Sequence, residues 1–307
     1  MTDNAIEIEG LTKVYGGPWT KKMCALDSLN LIIPRGCVFG FLGPNGAGKT
    51  TTIRCLMDLI RPTDGQAIVL GEQAGHVKTK GKIGYLQDNP NFTPYLTGRQ
   101  FLNICAKLLK MPKDTRNDRI DEVLEIVKMS KHENLELSAH SRGMLQRVGI
   151  AQAILNDPEL LILDEPLVGL DPEGRLELLE IVRRQKEKGV CIFFCSHILS
   201  DVEKLCDQVG ILNEGKLQLA GDIKHHLQVT GINVTIPDGE KELINSLHEK
   251  ARSSHRDELS NWVLEFDKEY VKWITEMEMK ETVKKEKRLE SLEDLFFRVV
   301  KKGENHD

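Results

Sequence analysis

The chain has 307 residues, 40% of them hydrophobic and 29% charged, with a net charge of −5 and a pI of about 6.0. That is the composition of an ordinary globular protein with room for one larger and one small domain. It offers no global basic field for nucleic acid. No apolar run approaches the ~20 residues that a membrane-spanning helix needs, and Met1-Thr2-Asp3-Asn4 lacks the basic-then-apolar pattern of a secretion signal.

Seven cysteines lie scattered through apolar segments without C-x-x-C spacing. Cys191 and Cys195, four apart on a predicted strand, point the same way rather than bridging. The thiols therefore read as reduced and packed. No Cys/His cluster has the spacing of a zinc site.

In chain order, residues 6–9 and 29–33 read as early strands, and Pro34-Arg35-Gly36 turns the chain into a third strand at 38–42. Next comes Gly43-Pro44-Asn45-Gly46-Ala47-Gly48-Lys49-Thr50, with the spacing G-x-x-x-x-G-K-[ST]. Its small residues let the backbone curl with N–H groups inward, a nest for phosphate oxygens. Lys49 sets an ammonium against the terminal phosphates, and the Thr50 hydroxyl can ligate Mg²⁺. Residues 51–60 read as the helix behind, its positive dipole end aimed at the phosphates. A glycine turn that matches by accident is the plainer alternative, and the flanking strand and helix argue against it.

The stretch 96–129 is helical in character, with Phe101, Leu102, Ile104, Cys105, Leu108 and Leu109 at three-and-four spacing. It predicts a helical insertion over about 91–150, beside the sheet. Residues 160–163, Leu-Leu-Ile-Leu, are apolar on both faces, as a central parallel strand should be, and end in Asp164-Glu165-Pro166. Adjacent acids are costly to bury without a cation. Asp164 is placed to hold Mg²⁺, and Glu165, pointing to the other side of the chain, to polarise an attacking water. A helix N-cap before Leu167 is the plainer alternative. The strand at 190–195 ends similarly, in Ser196-His197, where His197 reads as a γ-phosphate contact or as a satisfied structural group. Alternation of short strands with helices from residue 6 to about 220 predicts an α/β fold with a substantial parallel sheet.

After Gly221 the pattern weakens to strand-like pieces at 232–236 and 262–266 with a helix at 241–252 between them. Lys284-Lys285-Glu286-Lys287-Arg288 reads as a solvated helix face. Ser291-Leu292-Glu293-Asp294 starts a last helix with a capping box. Residues 226–307 are expected to form a small α+β appendage to a first domain over 1–225.

The ordered set of Gly43 to Thr50, Ser141-Arg142-Gly143-Met144, Leu160 to Glu165, Gly169-Leu170-Asp171 and His197 resembles the ATP-binding subunit of an ABC transporter. The resemblance covers about residues 5–225. More narrowly, His140-Ser141-Arg142-Gly143-Met144-Leu145-Gln146-Arg147 is similar to the signature of the ABC-2 subfamily, often exporters, and the closing Ser291-Leu292-Glu293-Asp294-Leu295-Phe296 resembles the end of that subfamily's C-terminal appendages. The fold implied is a P-loop cassette with a parallel core sheet, antiparallel edge strands and a helical subdomain.

The resemblance further implies an ATPase that uses ATP and Mg²⁺, dimerises on ATP as a homodimer or with a related subunit, and drives a separate transmembrane permease, for export. The nucleotide site would comprise Tyr15, stacked on adenine, with Gly43, Pro44, Asn45, Gly46, Ala47, Gly48, Lys49, Thr50 and Thr51. Glu165 and His197 would be catalytic, and Thr50 and Asp164 would hold the metal. Ser141 and Gly143 would contact the γ-phosphate held by the other protomer, with Asp171 at the dimer seam. Taken alone, Tyr15 reads equally as an edge-strand aromatic. Two departures from the family pattern stand out: Arg142 and Met144 replace a glycine and a glutamine, and in Tyr85-Leu86-Gln87-Asp88 the metal-linked position falls on Asp88 or Gln87. Contact with the permease would run through residues 91–102, placing the chain peripherally on the cytoplasmic face of the membrane. A soluble, non-transport ABC ATPase is the alternative, but such proteins carry two cassettes or a long coiled-coil insertion. A GTPase would need an Asn-Lys-x-Asp motif, which the chain lacks.

Overall fold

A computed structural model of the protein describes residues 4–17 and 21–304. The chain divides into two compact units, Met1–Ile223 with Val299–Asp307, and Lys224–Arg298.

The larger unit opens with two long strands, β1 (Asn4–Tyr15) and β2 (Met23–Pro34), then β3 (Val38–Leu42) and helix α1 (Lys49–Leu56). Strands β4 (Asp64–Val69) and β5 (Glu72–Gln73), the single turn α2 (Val77–Lys80) and β6 (Ile83–Leu86) follow. Three helices make the insertion: α3 (Gly98–Leu108), α4 (Lys113–Ile126) and α5 (Arg142–Ile154). The chain then alternates β7 (Leu160–Asp164), α6 (Pro172–Glu187), β8 (Cys191–Cys195), α7 (Leu199–Leu205), β9 (Gln208–Asn213) and β10 (Lys216–Asp222).

Two sheets result. One is antiparallel in the order β2-β1-β4-β5; the other runs β10-β9-β3-β8-β7-β6. In the second, β6, β7, β8, β3 and β9 are mutually parallel and only β10 is antiparallel, at an edge. β3, β7 and β8 are buried along their whole length, which is why they read as unbroken apolar runs. A core built on Ile6, Leu29, Phe39, Phe41, Ile162 and Phe193 fills the larger unit. Phe193 stacks on Phe39 at a centroid distance of 6.0 Å. Cys191 and Cys195 share that core, and all seven cysteines are free thiols.

The parallel register sets the geometry of the site. Phe41 and Asp164 both lie opposite Cys195, and Leu86 lies opposite Leu163. The C-terminal ends of β3, β8, β7 and β6 are therefore level. The turns beyond them begin at Gly43, Ser196, Glu165 and Gln87, side by side along one edge of the sheet.

Helix α1 ends at Leu56 rather than running on to residue 60. Asp58 takes a left-handed conformation, φ +53°, and the amide of Leu59 turns back to the Arg54 carbonyl. No helix starts near Leu167 either; the next one begins at Pro172, capped by Asp171.

In the smaller unit a turn, α8 (Ile223–His226), leads into β11 (Val229–Ile236), α9 (Lys241–His248), β12 (Ser253–Arg256), β13 (Trp262–Asp267), α10 (Val271–Glu276) and β14 (Lys284–Leu289). Helix α11 (Leu292–Glu304) starts in the smaller unit, with the Ser291 hydroxyl accepting from the Asp294 amide. The βαββαβ order and the all-antiparallel sheet β12-β13-β11-β14 make this a split βαβ topology. Ile232, Val234, Leu264, Phe266 and Ile274 form its own core. Residues 284–288 are thus an edge strand, not a helix face. Lysines suit an edge whose outer backbone groups must not recruit another strand, and Arg288 pairs with Glu265 on the neighbouring strand but one at 2.8 Å.

Candidate nucleotide-hydrolysis site

The glycine loop leaves β3 and delivers α1 at the level edge. Gly48, φ +111°, occupies the N-cap position, and no side chain caps the helix. Helices α3, α5 and α6 are each capped, by Thr97, Ser141 and Asp171. The first N–H groups of α1 are thus left for an outside acceptor, and an anion is the partner that suits them. Lys49 is buried. Its ammonium bonds to the carbonyls of Gly43 at 2.7 Å and Pro44 at 3.2 Å, closing the loop on itself.

Asp164, at the end of β7, is 1% exposed, and neither carboxylate oxygen has a hydrogen-bond partner among the described residues. Burial pushes its carboxyl up from 3.8 to about 6. The Thr50 hydroxyl beside it, without closing a well-formed hydrogen bond, pulls the other way, while Asp88 and Glu165 push it further up. An orphaned buried carboxylate next to a hydroxyl and a second acid suits a cation, and the residues fit Mg²⁺. No group of three or more His, Cys, Asp or Glu side chains could hold a metal alone among the described residues. Mg²⁺ takes one or two carboxylates and draws its other ligands from phosphates and water. Tyr85, on β6, is pushed up to about 12, mainly by burial and then by Asp164.

Glu165 does not continue the strand alternation. It turns off β7 with φ +49°, and its amide bonds to the Cys195 carbonyl. One carboxylate oxygen lies 2.8 Å from His197 Nδ1 and the other 3.9 Å from Lys49 Nζ. His197 itself is 54% exposed, and the preceding Ser196 is buried and accepts from the Ile198 amide. A cleft of about 580 Å³ opens over this pair, lined by Asn45, Asp88, Asn89, Arg142, Glu165, Val168 and His197. Of the two candidates after β6, Asp88 lines the cleft and Gln87 does not. Tyr15 lies elsewhere, opposite Met23 on β2 with the Lys13 ammonium 5.2 Å from its ring centre.

A second cleft of about 420 Å³ is lined by Ser141, Arg142, Gly143, Met144, Gly169 and Asp171, among others. Ser141 caps α5 by accepting from the Met144 amide at 3.2 Å, and Asp171 caps α6 by accepting from the Gly174 amide at 2.8 Å. Of the residues expected at the site, Asn45, Asp88, Glu165 and His197 line one cleft and Ser141, Gly143 and Asp171 the other. Arg142 lines both, a placement that sequence reasoning missed; the only signal was its departure from the family's glycine.

The sequence matches the ABC transporter family over residues 26–168. It is 44% identical over 226 residues to an uncharacterised ABC transporter ATP-binding protein of Nostoc sp., covering 72% of this chain and 68% of that protein. It is 46% identical over 215 residues to the bacitracin transport ATP-binding protein BcrA of Bacillus licheniformis, covering 69% and 68% of the two chains. Among solved structures, the ATP-binding subunit of an ABC transporter superposes with a TM-score of 0.65 at 28% identity, covering 72% of this chain and 91% of that one.

Proposed function

The chain belongs to the ABC transporter family, as an ATP-binding subunit, and on that premise we propose that it hydrolyses ATP to drive a separate membrane permease. The observation that carries the reading is the carboxylate of Glu165, held between His197 at 2.8 Å and Lys49 at 3.9 Å. It stands beside an uncapped helix start that suits a triphosphate.

In this reading the backbone N–H groups of the 43–51 segment, Gly43, Pro44, Asn45, Gly46, Ala47, Gly48, Lys49, Thr50 and Thr51, cradle the phosphates. Lys49 exchanges its loop carbonyls for phosphate oxygens. Thr50, Asp164 and Asp88 would hold Mg²⁺, which, when bound, neutralises charge on the phosphate oxygens. Glu165 accepts a proton from the attacking water, and His197 fixes the rotamer of that carboxylate while facing the γ-phosphate. Tyr15 is assigned to adenine.

Asn45 of the cradle lines the cleft over Glu165, whereas Ser141, Gly143 and Asp171 line only the second cleft. Ser141, Gly143 and Asp171 therefore serve a nucleotide bound by a second subunit, a like or a related one, so that ATP binding and dimer closure are one event. Segment 91–102, with Tyr95 73% exposed and Phe92 packed edge-on against Phe101, is the face offered to the permease. The ABC-2-type signature and the bacitracin-transport relative favour export. No helix among the described residues is long and apolar enough to cross a membrane, so the path itself is assigned to the permease.

The test is Glu165→Gln. Removing the base is expected to lower turnover by about 10²–10⁴-fold while ATP still binds. An unchanged steady-state rate in a preparation free of contaminating ATPase overturns the assignment. Co-purification of a membrane protein with the tagged chain tests the permease.

A further inference from the structure

Helix α5 grips the loop between Glu165 and Asp171 along one face. Gln146 donates to the buried Pro166 carbonyl at 2.9 Å. Four residues earlier, one turn up the same face, the Arg142 side chain lies over Gly169. A Cβ placed on that glycine would fall 2.5 Å from Arg142 Nε and 2.8 Å from its Cζ. Gly169 is left-handed, φ +80°, so the loop presents a bare Cα to the guanidinium. Next to it, a Cβ on Gly143 would meet Leu170 Cδ2 at 3.4 Å. Beyond, Arg147 pairs with Glu177 on α6.

Among the described residues Arg142 makes no hydrogen bond or ion pair of its own, yet it lines both clefts. Arg142 and Gly169 are both exposed, and the contact that places the flat cation is its approach to the bare Cα of that glycine. We propose that Arg142 is a positioning residue: its guanidinium, laid across Gly169, holds the 166–171 loop so that Glu165 in one cleft and the Ser141–Asp171 pair in the other keep a fixed spacing. This rests on the reading of Glu165 as the base. Lysine cannot replace the arginine, since a compact ammonium on a flexible stem has no plane to lay on a bare Cα.

Two measurements on the full chain test this. In steady-state ATPase assays Arg142→Ala is expected to lower kcat about tenfold, leave KM for ATP within about twofold, and not be rescued by Arg142→Lys. A kcat equal to wild type, a fall in kcat with a matching rise in KM, or full rescue by lysine overturns the proposal. Amide hydrogen exchange without nucleotide reads the loop directly. The amides of Val168 and Leu170, which bond to the carbonyls of Glu165 and Leu167, are expected to exchange at least about fivefold faster in Arg142→Ala. Unchanged protection overturns the proposal even if the protein shows no ATPase activity. Faster exchange with an inactive wild type instead sinks the hydrolytic reading and leaves the clasp standing.

Discussion

His197 Nδ1 lies 2.8 Å from Glu165 Oε2, joining the ends of two neighbouring parallel strands across the mouth of the cleft. The bond gives the carboxylate one rotamer, with its second oxygen turned toward Lys49. His197→Ala leaves Glu165 present but unaimed. Turnover is expected to fall by about 10–10²-fold, with nucleotide binding little changed. Steady-state kinetics paired with equilibrium binding of a fluorescent ATP analogue checks this; equal losses in both would mean that His197 only supports the fold.

Asp164 gives a pH signature. In the folded protein burial pushes its carboxyl up from an ordinary 3.8 to about 6. Between those values the folded state keeps a proton that the unfolded state has lost. Stability therefore falls as pH rises through that window, and the penalty is complete above it. Asp164→Asn is expected to be more stable than wild type at alkaline pH in EDTA, by roughly 1–3 kcal/mol, with the difference vanishing below the window. Urea denaturation across pH checks it; identical curves at alkaline pH would contradict a buried carboxylate without a partner.

The residue after β6 that serves the metal is distinguishable by titration. Asp88 lines the cleft and adds to the upward push on Asp164. Asp88→Ala is expected to raise the Mg²⁺ concentration for half-maximal ATPase activity by about tenfold, and Gln87→Ala to leave it within about twofold. The reverse ranking would move the role to Gln87.

Much of this edge was legible in the sequence because fully buried strands read as apolar runs and the chemistry follows directly after them. Leu160 to Leu163 and Cys191 to Cys195 located the turns at Glu165 and Ser196 for that reason. Conformation past the strand end was not legible: Glu165 was expected to alternate with Asp164, but it turns off with a positive φ that no local residue type announces. The same limit hid the end of α1, set by a left-handed Asp58. Lys284 to Arg288 misled for another reason. A short, highly charged run has no apolar period, so edge strand and exposed helix look alike until the partner strand is known. Arg142 over Gly169 is a contact between two distant motifs, which spacing alone does not record.

Gly48 allows no side chain. It has φ +111°, and a Cβ there would fall 2.5 Å from the Ala25 carbonyl oxygen on β2. Gly48→Ala is expected to destabilise the protein by about 1–3 kcal/mol and to abolish ATP binding, since the loop and the start of α1 must move together. Thermal unfolding with and without ATP reads both effects. Retention of ATP-induced stabilisation would show that the cradle tolerates the shift.

By this reading the chain carries half of each hydrolytic site. Sedimentation of Glu165→Gln with ATP, compared with Glu165→Gln/Ser141→Arg, tests it most directly. The single variant should bind ATP and run as a dimer. The double variant should bind ATP as tightly and stay monomeric, because an arginine at the start of α5 blocks the contact to the other subunit's nucleotide. A dimer that persists in the double variant would mean that Ser141 does not act across the subunit seam.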